Sequence, residues 1–387
     1  GIKAKRLDGQ KWYEIDDKQD LDIAESMFCS PEEQVKKLAS RFGGYWRYPG
    51  LKDFCYLVTP YFPGKRLRAE IKASFDTLLE QYPSGQRVNA LLAAKMFGLH
   101  TDEIAVGNGA AEIIQTYMDL LSGQIGFVYP TFEEYPNRIA EDRRVIFTPS
   151  AENGFRYGAK DLIDFFTKNP VSNLILVNPD NPSGNFMSLK DVEKLCRWCA
   201  KTGVRLLIDE SFADFADKPY TLLSREFLAK YPHLSVMKSI SKSYGVPGVR
   251  LGVLASAATG FVDLIKKNLS IWNINSFGEF FLQIIEKYLK EYKVGCTKLA
   301  AERNRFIKGL SAFPYLTVYP SAANYVLCRV DKPHAPEELM MKLWTGYKIL
   351  IKDCSHKKAF DGQPFIRLAV RDTADNDALL TALKEIG

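Results

Sequence analysis

Short apolar runs alternate with stretches of helical periodicity through the middle of the chain. Each run predicts a strand, and apolar positions spaced three and four residues apart predict the helices between the strands. The predicted strands are 104–106, 126–129, 145–148, 174–177, 204–208 and 234–237. Strands that alternate with helices in this way indicate a mostly parallel sheet covered by helices on both faces, and therefore the α/β class.

The regions on either side of this alternation have a different character. Residues 43–68 are rich in aromatic residues, glycine and proline and predict an irregular arm, which is followed by helical periodicity at 69–79 and 88–97. Helical stretches at 280–292 and 296–310 then precede four more predicted strands, at 316–319, 325–329, 348–351 and 365–370. These last elements predict a smaller α/β domain.

The length of the chain supports more than one folding unit. At 387 residues it exceeds what a single small core usually fills. We therefore expect an N-terminal segment at 1–42, the arm at 43–68, a large domain at 69–280 and a small C-terminal domain at 281–387.

One polar segment between two apolar runs carries the most informative chemistry. Residues 239–252 read SISKSYGVPGVRLG, and the glycines and proline of the second half favour a loop. Lys242 on such a loop can form a Schiff base with a carbonyl compound. Arg250 and the neighbouring serines are suited to a phosphate. A lysine imine beside a phosphate site suggests pyridoxal phosphate, although such segments are also common on solvated surfaces.

Composition limits the classes of partner. The chain is 46% hydrophobic and 25% charged, as soluble globular proteins are, and its net charge of +6 is spread along its length. Nucleic-acid binding calls for a clustered basic face, so a small anionic ligand fits better. No apolar run approaches the length of a membrane span and no secretory leader is visible, so we expect no membrane partner.

The cysteines and histidines form no recognisable metal motif. Cys196 and Cys199 make a CxxC inside a predicted helix, but no second pair accompanies them. Seven scattered cysteines are typical of reduced thiols, so we expect a cytoplasmic protein without a metal site.

Four further motifs each follow a predicted strand, at the edge where such sheets bind ligands. They are GNGAAE (107–112), PTF (130–132), NPDNPSG (178–184) and DESF (209–212). Glycines that open a helix expose backbone amides to a phosphate. The carboxylate of Asp209 directly follows an apolar strand and needs a partner, for which a protonated pyridine nitrogen is suitable.

In this order, and together with SISKSYGVPGVRLG, the motifs resemble the fold-type-I aminotransferases of class I/II. The similarity is greatest to the branch of histidinol-phosphate aminotransferase and threonine-phosphate decarboxylase, and it runs from about residue 54 to 387. The resemblance implies the cofactor pyridoxal 5′-phosphate and a homodimer with shared active sites.

The resemblance also implies roles for the residues that match the motifs. Lys242 would be the Schiff-base lysine, Asp209 the partner of the pyridine nitrogen, Asn181 the partner of the ring hydroxyl, and Phe132 the residue stacked on the ring. The cofactor phosphate would be held by the amides of Ala110 and Ala111, by Ser239, Ser241 and Arg250, and by Tyr82 of the partner subunit. Many members carry tyrosine where Phe212 stands, so this chain is expected to leave the ring oxygen to Asn181 alone.

The C-terminal part supplies the expected substrate residues. Arg367 matches the family's arginine for the acidic group of the substrate. Lys352 stands where the branch that binds phosphorylated substrates usually has arginine, which replaces a two-pronged fork by a point charge. Arg371 is a third candidate, whereas Lys357 and Lys358 fit a solvated surface better.

The expected reaction is transamination of a small phosphonate or phosphate amine, with 2-aminoethylphosphonate and phosphonoacetaldehyde as the pair. A decarboxylase of the threonine-phosphate type is the alternative, because both reactions use the same cofactor contacts. A histidinol-phosphate-like or general amino acid aminotransferase, acting on a plain carboxylate, remains open. A non-catalytic effector domain is less compatible, since no helix-turn-helix pattern precedes the motifs.

The start of the chain has a local resemblance of its own. Residues 12–25 resemble the last stretch of a nucleotidyltransferase, which predicts a fusion of a cytidylyltransferase with this aminotransferase-like unit. An acidic start to a helix over 21–28 explains the same pattern. Because Gly1 is not methionine, we expect the chain to begin inside a longer protein or to carry residues from cloning.

Overall fold

A computed structural model describes residues 12–387. Gly1 and the first part of the predicted segment 1–42 lie outside the described residues. The helices are α1 (Lys18–Phe28), α2 (Pro31–Arg41), α3 (Lys65–Ala73), α4 (Phe75–Glu80), α5 (Gln86–Phe97), α6 (Gly109–Asp119), α7 (Ala159–Lys168), α8 (Leu189–Thr202), α9 (Arg225–Lys230), α10 (Ile240–Ser243), α11 (Thr259–Asn268), α12 (Ser276–Ile284), α13 (Leu289–Leu310), α14 (Pro336–Tyr347) and α15 (Thr373–Ile386).

The strands form three sheets. They are β1 (Lys52–Asp53), β2 (Ile104–Asn108), β3 (Ile125–Val128), β4 (Arg144–Phe147), β5 (Asn173–Val177), β6 (Arg205–Asp209), β7 (Leu234–Lys238), β8 (Leu251–Ala255), β9 (Leu316–Val318), β10 (Tyr325–Val330), β11 (Ile349–Leu350), β12 (Lys352–Asp353) and β13 (Phe365–Ala369).

The largest sheet has seven strands in the order β2-β8-β7-β6-β5-β3-β4. All neighbours are parallel except β8, which runs antiparallel to β2 and β7. Its central strands are covered on both faces: Leu206 and Ile208 of β6 pack into one apolar cluster, and Leu207 packs into the cluster on the other side. Burial on both faces explains why these strands are continuous apolar runs. The predicted α/β class with a mostly parallel sheet is confirmed.

The loop prediction for 239–252 was wrong in its first half. Residues Ile240–Ser243 form the single helical turn α10, and Pro247–Val249 form a turn of 3-10 helix. Gly245 ends α10 with a φ of +66°, and a Cβ there would lie 2.0 Å from the carbonyl oxygen of Phe62. The helix breakers lie beyond the four residues that one turn needs, so they limit the helix without preventing it.

The arm is more ordered than an irregular segment. It contains a 3-10 turn at Tyr45–Arg47 and the strand β1, and α3 already begins at Lys65. Other predicted boundaries also shift: Ser74 divides the helical stretch 69–79 into α3 and α4, and α13 begins at Leu289.

The C-terminal sheet, which we define as β9, β10, β12 and β13, is antiparallel in the order β12-β13-β10-β9. It packs with α13, α14 and α15 around a second apolar core. The arm joins this part of the molecule because β1 pairs in parallel with β11. The N-terminal helices α1 and α2 pack nearby, where Ile23 and Leu38 share a cluster with Tyr48 and Leu350.

The sequence predicts neither a membrane span nor a metal site. Among residues 12–387, no helix combines the length and apolar character that a membrane crossing requires. In the same range no group of three or more His, Cys, Asp or Glu side chains is arranged to hold a metal ion. Cys196 and Cys199 are buried free thiols in α8, and burial raises the pKa of Cys196 to about 12.

Candidate active site

A cavity of about 850 Å³ lies where the chain leaves β2, β3 and β7. Its wall brings together Lys242, Phe132, Arg250, Ser239, Ser241 and the first residues of α6, although these positions are far apart in the sequence. Because β2, β3 and β7 all point the same way, their carboxyl ends meet at one edge of the sheet. The residues predicted for the phosphate, the ring face and the Schiff base therefore line a single space. The other predicted residues are not among those that line it, namely Asp209, Asn181, Arg367, Lys352 and Tyr82.

Lys242 projects from α10 between two aromatic rings. Its Nζ lies 4.5 Å from the ring centre of Phe132 and 5.4 Å from that of Phe212. Burial lowers the pKa of Lys242, the nearby Asp209 carboxylate opposes this shift, and the positive Arg367 and Arg250 add to it. A lowered pKa favours the neutral amine, which is the form that attacks a carbonyl carbon.

Asp209 ends β6 and is held by donors on two sides. Tyr135 donates its hydroxyl to Oδ2 at 2.9 Å, and the amide of Ser211 donates to Oδ1 at 2.9 Å. The Ser211 hydroxyl donates to Oδ1 as well, and it accepts the amide of Ser239 at 2.8 Å. This fixed, buried carboxylate suits a cationic ring nitrogen. Tyr135 and Ser211 were not predicted as site residues, and their only signal in the sequence is their closeness to Phe132 and Asp209 in the chain.

The expected phosphate end is built mainly of backbone. Gly109 opens α6 with a φ of +71°, and a Cβ on it would lie 2.6 Å from Nη2 of Arg250. A Cβ on Gly252 of β8 would lie 2.4 Å from the backbone nitrogen of Ala110. These contacts place the start of α6, with the amides of Ala110 and Ala111, against Arg250. The arrangement presents a helix N-terminus and a guanidinium to the same part of the cavity.

Three other residues predicted to contact the phosphate have different surroundings. Ser239 and Ser241 line the cavity, but the Ser241 hydroxyl also accepts the Leu251 amide at 2.8 Å and so helps to hold β8. Tyr82 is 80% exposed and its ring lies 4.8 Å from that of Trp272. A surface position is compatible with reaching into a second subunit, and that role of Tyr82 stays a prediction.

Arg367 reaches from β13 to the sheet that carries the lysine. Its Nη1 donates to Oδ1 of Asn181 at 2.8 Å, and its Nη2 donates to the carbonyl of Cys55 at 2.8 Å. Lys352 lies directly opposite Arg367 in the β12–β13 register, so the two side chains share a face of the C-terminal sheet. Two positively charged residues are therefore neighbours on this sheet, and Arg367 is the one bonded to Asn181.

The remaining basic candidates already have acidic partners. Arg371 lines the cavity, but its Nη2 lies 3.3 Å from Asp375, which also binds Lys52 at 2.6 Å. Lys357 pairs with Glu133 at 2.9 Å and Lys358 pairs with Glu141 at 2.7 Å. Arg371, Lys357 and Lys358 are thus less available to a substrate anion than Arg367 and Lys352.

The arm forms a wall of the cavity that the sequence analysis did not foresee. Residues between Phe42 and Val58 line one side of the space, and the aromatic ones are Phe42, Tyr45, Trp46, Tyr48 and Tyr56. Trp46 is 80% exposed. The richness of this stretch in aromatic residues was the available signal, but it did not indicate which space they would face.

The residues fit pyridoxal phosphate. The cavity is lined on one side by the amine of Lys242, whose pKa is lowered by burial. It is also lined by the N-terminus of α6, which the glycines allow to lie close to Arg250. Ala110, Ala111 and Arg250 would hold the phosphate, Asp209 the ring nitrogen and Asn181 the ring hydroxyl. Bound there, the cofactor would supply a carbonyl group for Lys242 and an electron sink for a substrate.

The sequence of the chain is similar to those of known enzymes. The chain is 33% identical over 375 residues to the CMP-5′-(3-aminopropyl)phosphonate synthase of Streptomyces rubellomurinus, a match that covers 97% of the chain and 59% of that protein. It is 31% identical to the L-serine phosphate decarboxylase of Sulfurospirillum multivorans, over 86% of the chain and 88% of the relative. The chain thus spans about six tenths of the length of the synthase and most of the decarboxylase.

A solved structure extends the agreement to three dimensions. A decarboxylase from Sulfurospirillum multivorans superposes with a TM-score of 0.81 at 27% identity, covering 95% of this chain and 98% of that one. The family model for aminotransferase class I and II matches residues 65–383, which include every motif that lines the lysine side of the cavity. The chain therefore belongs to the class I and II aminotransferase family, whose members depend on pyridoxal phosphate.

Proposed function

We propose that this enzyme decarboxylates an α-amino acid that carries a phosphate or phosphonate as a second anionic group. When bound, pyridoxal phosphate supplies an electron sink for the bond to Cα that stands perpendicular to its ring. The residues around the substrate therefore select the reaction, because they decide which substrate group lies beside the ring and which stands above it.

The single observation that carries the proposal is the pair formed by Lys352 and Arg367. The two residues are register partners on β12 and β13, and Arg367 is bonded to Asn181 at 2.8 Å. A phosphate or phosphonate carries up to two negative charges and is matched by two neighbouring cations better than a carboxylate is. The pair thus suits the phosphorus-bearing end of a substrate.

This placement has a consequence for the reaction. By the family resemblance Asn181 contacts the ring hydroxyl, so an anion held by Arg367 would lie at the edge of the ring. The α-carboxylate is then the group left free to stand above it. The bond between Cα and the carboxylate would break, carbon dioxide would leave, and Nζ of Lys242 would deliver a proton to Cα.

The relatives support the same direction. A decarboxylase of L-serine phosphate removes a carboxylate from an amino acid with a second anion, as its name states. Adding a carboxylate to the amine-bearing carbon of 3-aminopropylphosphonate, the group named in the synthase, gives 2-amino-4-phosphonobutyrate. That compound and phosphoserine are accordingly the substrates to test first.

Transamination of 2-aminoethylphosphonate remains the second candidate. The specific observation in its favour is the forked guanidinium of Arg367, which Asn181 and the carbonyl of Cys55 hold in a fixed orientation. Such a fork also suits the carboxylate of an ordinary amino donor. If Arg367 bound that carboxylate, a C–H bond would stand above the ring and transamination would follow.

The predicted fusion with a nucleotidyltransferase affects which substrates should be tested. Residues 18–25 of the stretch 12–25 belong to α1, which Asp17 caps, so the local pattern has a sufficient structural cause. The longer synthase nevertheless carries CMP in its name, and the aromatic wall of the cavity offers rings on which a base could stack. The substrate panel should therefore include the CMP ester of each phosphonate next to the free acid.

The test is a product assay with the purified holoenzyme. Phosphoserine, 2-amino-4-phosphonobutyrate and 2-aminoethylphosphonate with pyruvate are incubated separately, and carbon dioxide, ³¹P spectra and keto products are recorded. We expect carbon dioxide and an amine from one of the two amino acids, and no product with Lys242→Ala. A keto product without carbon dioxide would contradict decarboxylation and support the second candidate.

A matched pair of variants tests whether Lys352 contributes to substrate binding beside Arg367. Lys352→Met should raise KM about tenfold, because one of the two charges on the phosphonate is lost. Lys358→Met, which removes an exposed lysine paired with Glu141, is the control and should leave KM unchanged. Equal KM values in the two variants would show that Lys352 does not bind the substrate.

A further inference from the structure

Lys357 connects the C-terminal part of the chain to the segment that carries Phe132. Its Nζ donates to the carbonyl of Thr131 at 2.9 Å and pairs with Oε1 of Glu133 at 2.9 Å. The two bonds therefore grip the residues immediately before and after Phe132. The Lys357 side chain is only 17% exposed, whereas that of Glu133 is 39% exposed, so water reaches the ion pair mainly from the carboxylate side.

The gripped segment serves the cofactor cavity at two points. The Phe132 ring lies 4.5 Å from Nζ of Lys242, and three residues later Tyr135 donates to the carboxylate of Asp209 at 2.9 Å. The rings of Phe132 and Tyr135 also meet edge to face at 6.3 Å. A small displacement of this segment would therefore move Phe132, which is expected to stack on the cofactor ring. It would also move Tyr135, which holds Asp209, the expected partner of the ring nitrogen.

The other end of the connection is firmly anchored. Lys357 lies between β12 and β13, where its carbonyl accepts the amide of Phe360 at 3.0 Å. Phe360 is 1% exposed and stacks on Phe365 of β13 with ring centres 4.2 Å apart. Lys357 is consequently tied to the C-terminal sheet, the same sheet that presents Arg367 and Lys352.

We propose that Lys357 is a positioning residue that holds Phe132 against the cofactor ring by gripping the backbone and side chain on either side of it. Through this grip, the stacking on the cofactor depends on the position of the C-terminal sheet. Lys357 itself has no role in binding the substrate anion. The inference needs the cofactor but not the particular reaction, so it goes beyond the decarboxylation proposed above.

Lys358 offers a matched control. It is the next residue in the same loop, and it also forms an ion pair across the molecule, with Glu141 at 2.7 Å. Its side chain is 49% exposed and its partner lies outside the Phe132 segment. Loss of Lys358 removes a comparable connection without touching the residues beside Phe132.

The experiment measures the release of pyridoxal phosphate from the holoenzyme, by following the visible absorbance after transfer into buffer with a cofactor trap. Lys357→Met should accelerate release about tenfold, because a partly buried cation that makes two hydrogen bonds is lost. Lys358→Met should stay within about twofold of wild type, as expected for an exposed pair. Lys357→Arg can still reach both partners and should restore slow release.

The unfolding temperature of each apoenzyme separates positioning from stability. Each substitution removes one ion pair from the apoenzyme, so Lys357→Met and Lys358→Met should both unfold within about 3 °C of wild type. The proposal would be overturned if pyridoxal phosphate left Lys357→Met no faster than it left Lys358→Met. If Lys357→Met does not fold, Glu133→Gln decides: about threefold faster release supports the grip, and a wild-type rate contradicts it.

Discussion

The expected phosphate end and the expected substrate end of the candidate site are built from different groups. At the expected phosphate end, Gly109 and Gly252 let the start of α6 approach Arg250 and β8 so closely that a Cβ on Gly252 would lie 2.4 Å from the Ala110 nitrogen. At the expected substrate end, Arg367 meets Asn181 and the carbonyl of Cys55 through side-chain hydrogen bonds of 2.8 Å. One end is backbone packed on backbone, and the other is a charged side chain bonded to neutral acceptors from distant parts of the chain.

This difference suggests how one family serves several reactions. A backbone cradle changes little when side chains are exchanged, so the binding of the cofactor can stay constant. Charged side chains can be replaced one at a time, as Lys352 illustrates where the related branch usually has arginine. The reaction can then vary at the substrate end without loss of the cofactor.

The largest expected effect is at the backbone-built end. Gly252→Ala should weaken binding of pyridoxal phosphate about 100-fold, because the added methyl group meets backbone atoms of Ala110 that cannot move aside cheaply. The measurement is a titration of the apoenzyme with the cofactor, followed by its absorbance.

Gly248→Ala is the control for this prediction. It also lies in the segment 239–252, but a Cβ there has no neighbour within 4 Å among the described residues, so cofactor affinity should not change. Wild-type affinity in Gly252→Ala would mean that the cradle adapts, and the contrast between the two ends would fail.

An intermediate effect is expected within the substrate end itself. Arg367→Met should lower kcat/KM about 30-fold on the best substrate of the panel, because it removes the charge that faces Asn181. Arg371→Met should stay within about threefold, since Asp375 already neutralises that arginine. Steady-state kinetics on the two variants provide the comparison. Similar losses in both would restore Arg371 as a substrate residue, as the sequence analysis expected.

The smallest effect concerns the buried carboxyl group of Asp180, which directly precedes Asn181 in the chain. Its backbone carbonyl accepts the hydroxyl of Tyr325 at 2.7 Å, and burial raises the pKa of its carboxyl group from 3.8 to about 7. The folded protein thus keeps a proton that the unfolded chain releases above about pH 4. Stability must therefore fall as the pH rises towards 7, and then level off.

Asp180→Asn should remove this dependence. Between pH 6 and pH 8 the free energy of unfolding of the wild-type apoenzyme should fall by about 1 kcal/mol more than that of the variant. Urea unfolding at the two pH values measures the difference. An equal change in both proteins would show that Asp180 is ionised in the folded state.

Much of the cofactor end could be read from the sequence because its motifs are local. Each motif follows an apolar run, and parallel strands bring their carboxyl ends to one edge, so Lys242, Phe132 and the start of α6 meet whatever the details of packing. For the same reason the α/β class and the family could be predicted.

Tertiary structure alone decided the contacts between distant parts of the chain. Arg367 bonds to Cys55 across 312 residues and Lys357 bonds to Thr131 across 226, and no spacing or periodicity records such pairs. The antiparallel direction of β8 and the wall formed by the arm are of the same kind. Local motifs state what a residue can do, but which charge is neutralised and which remains available depends on the path of the whole chain.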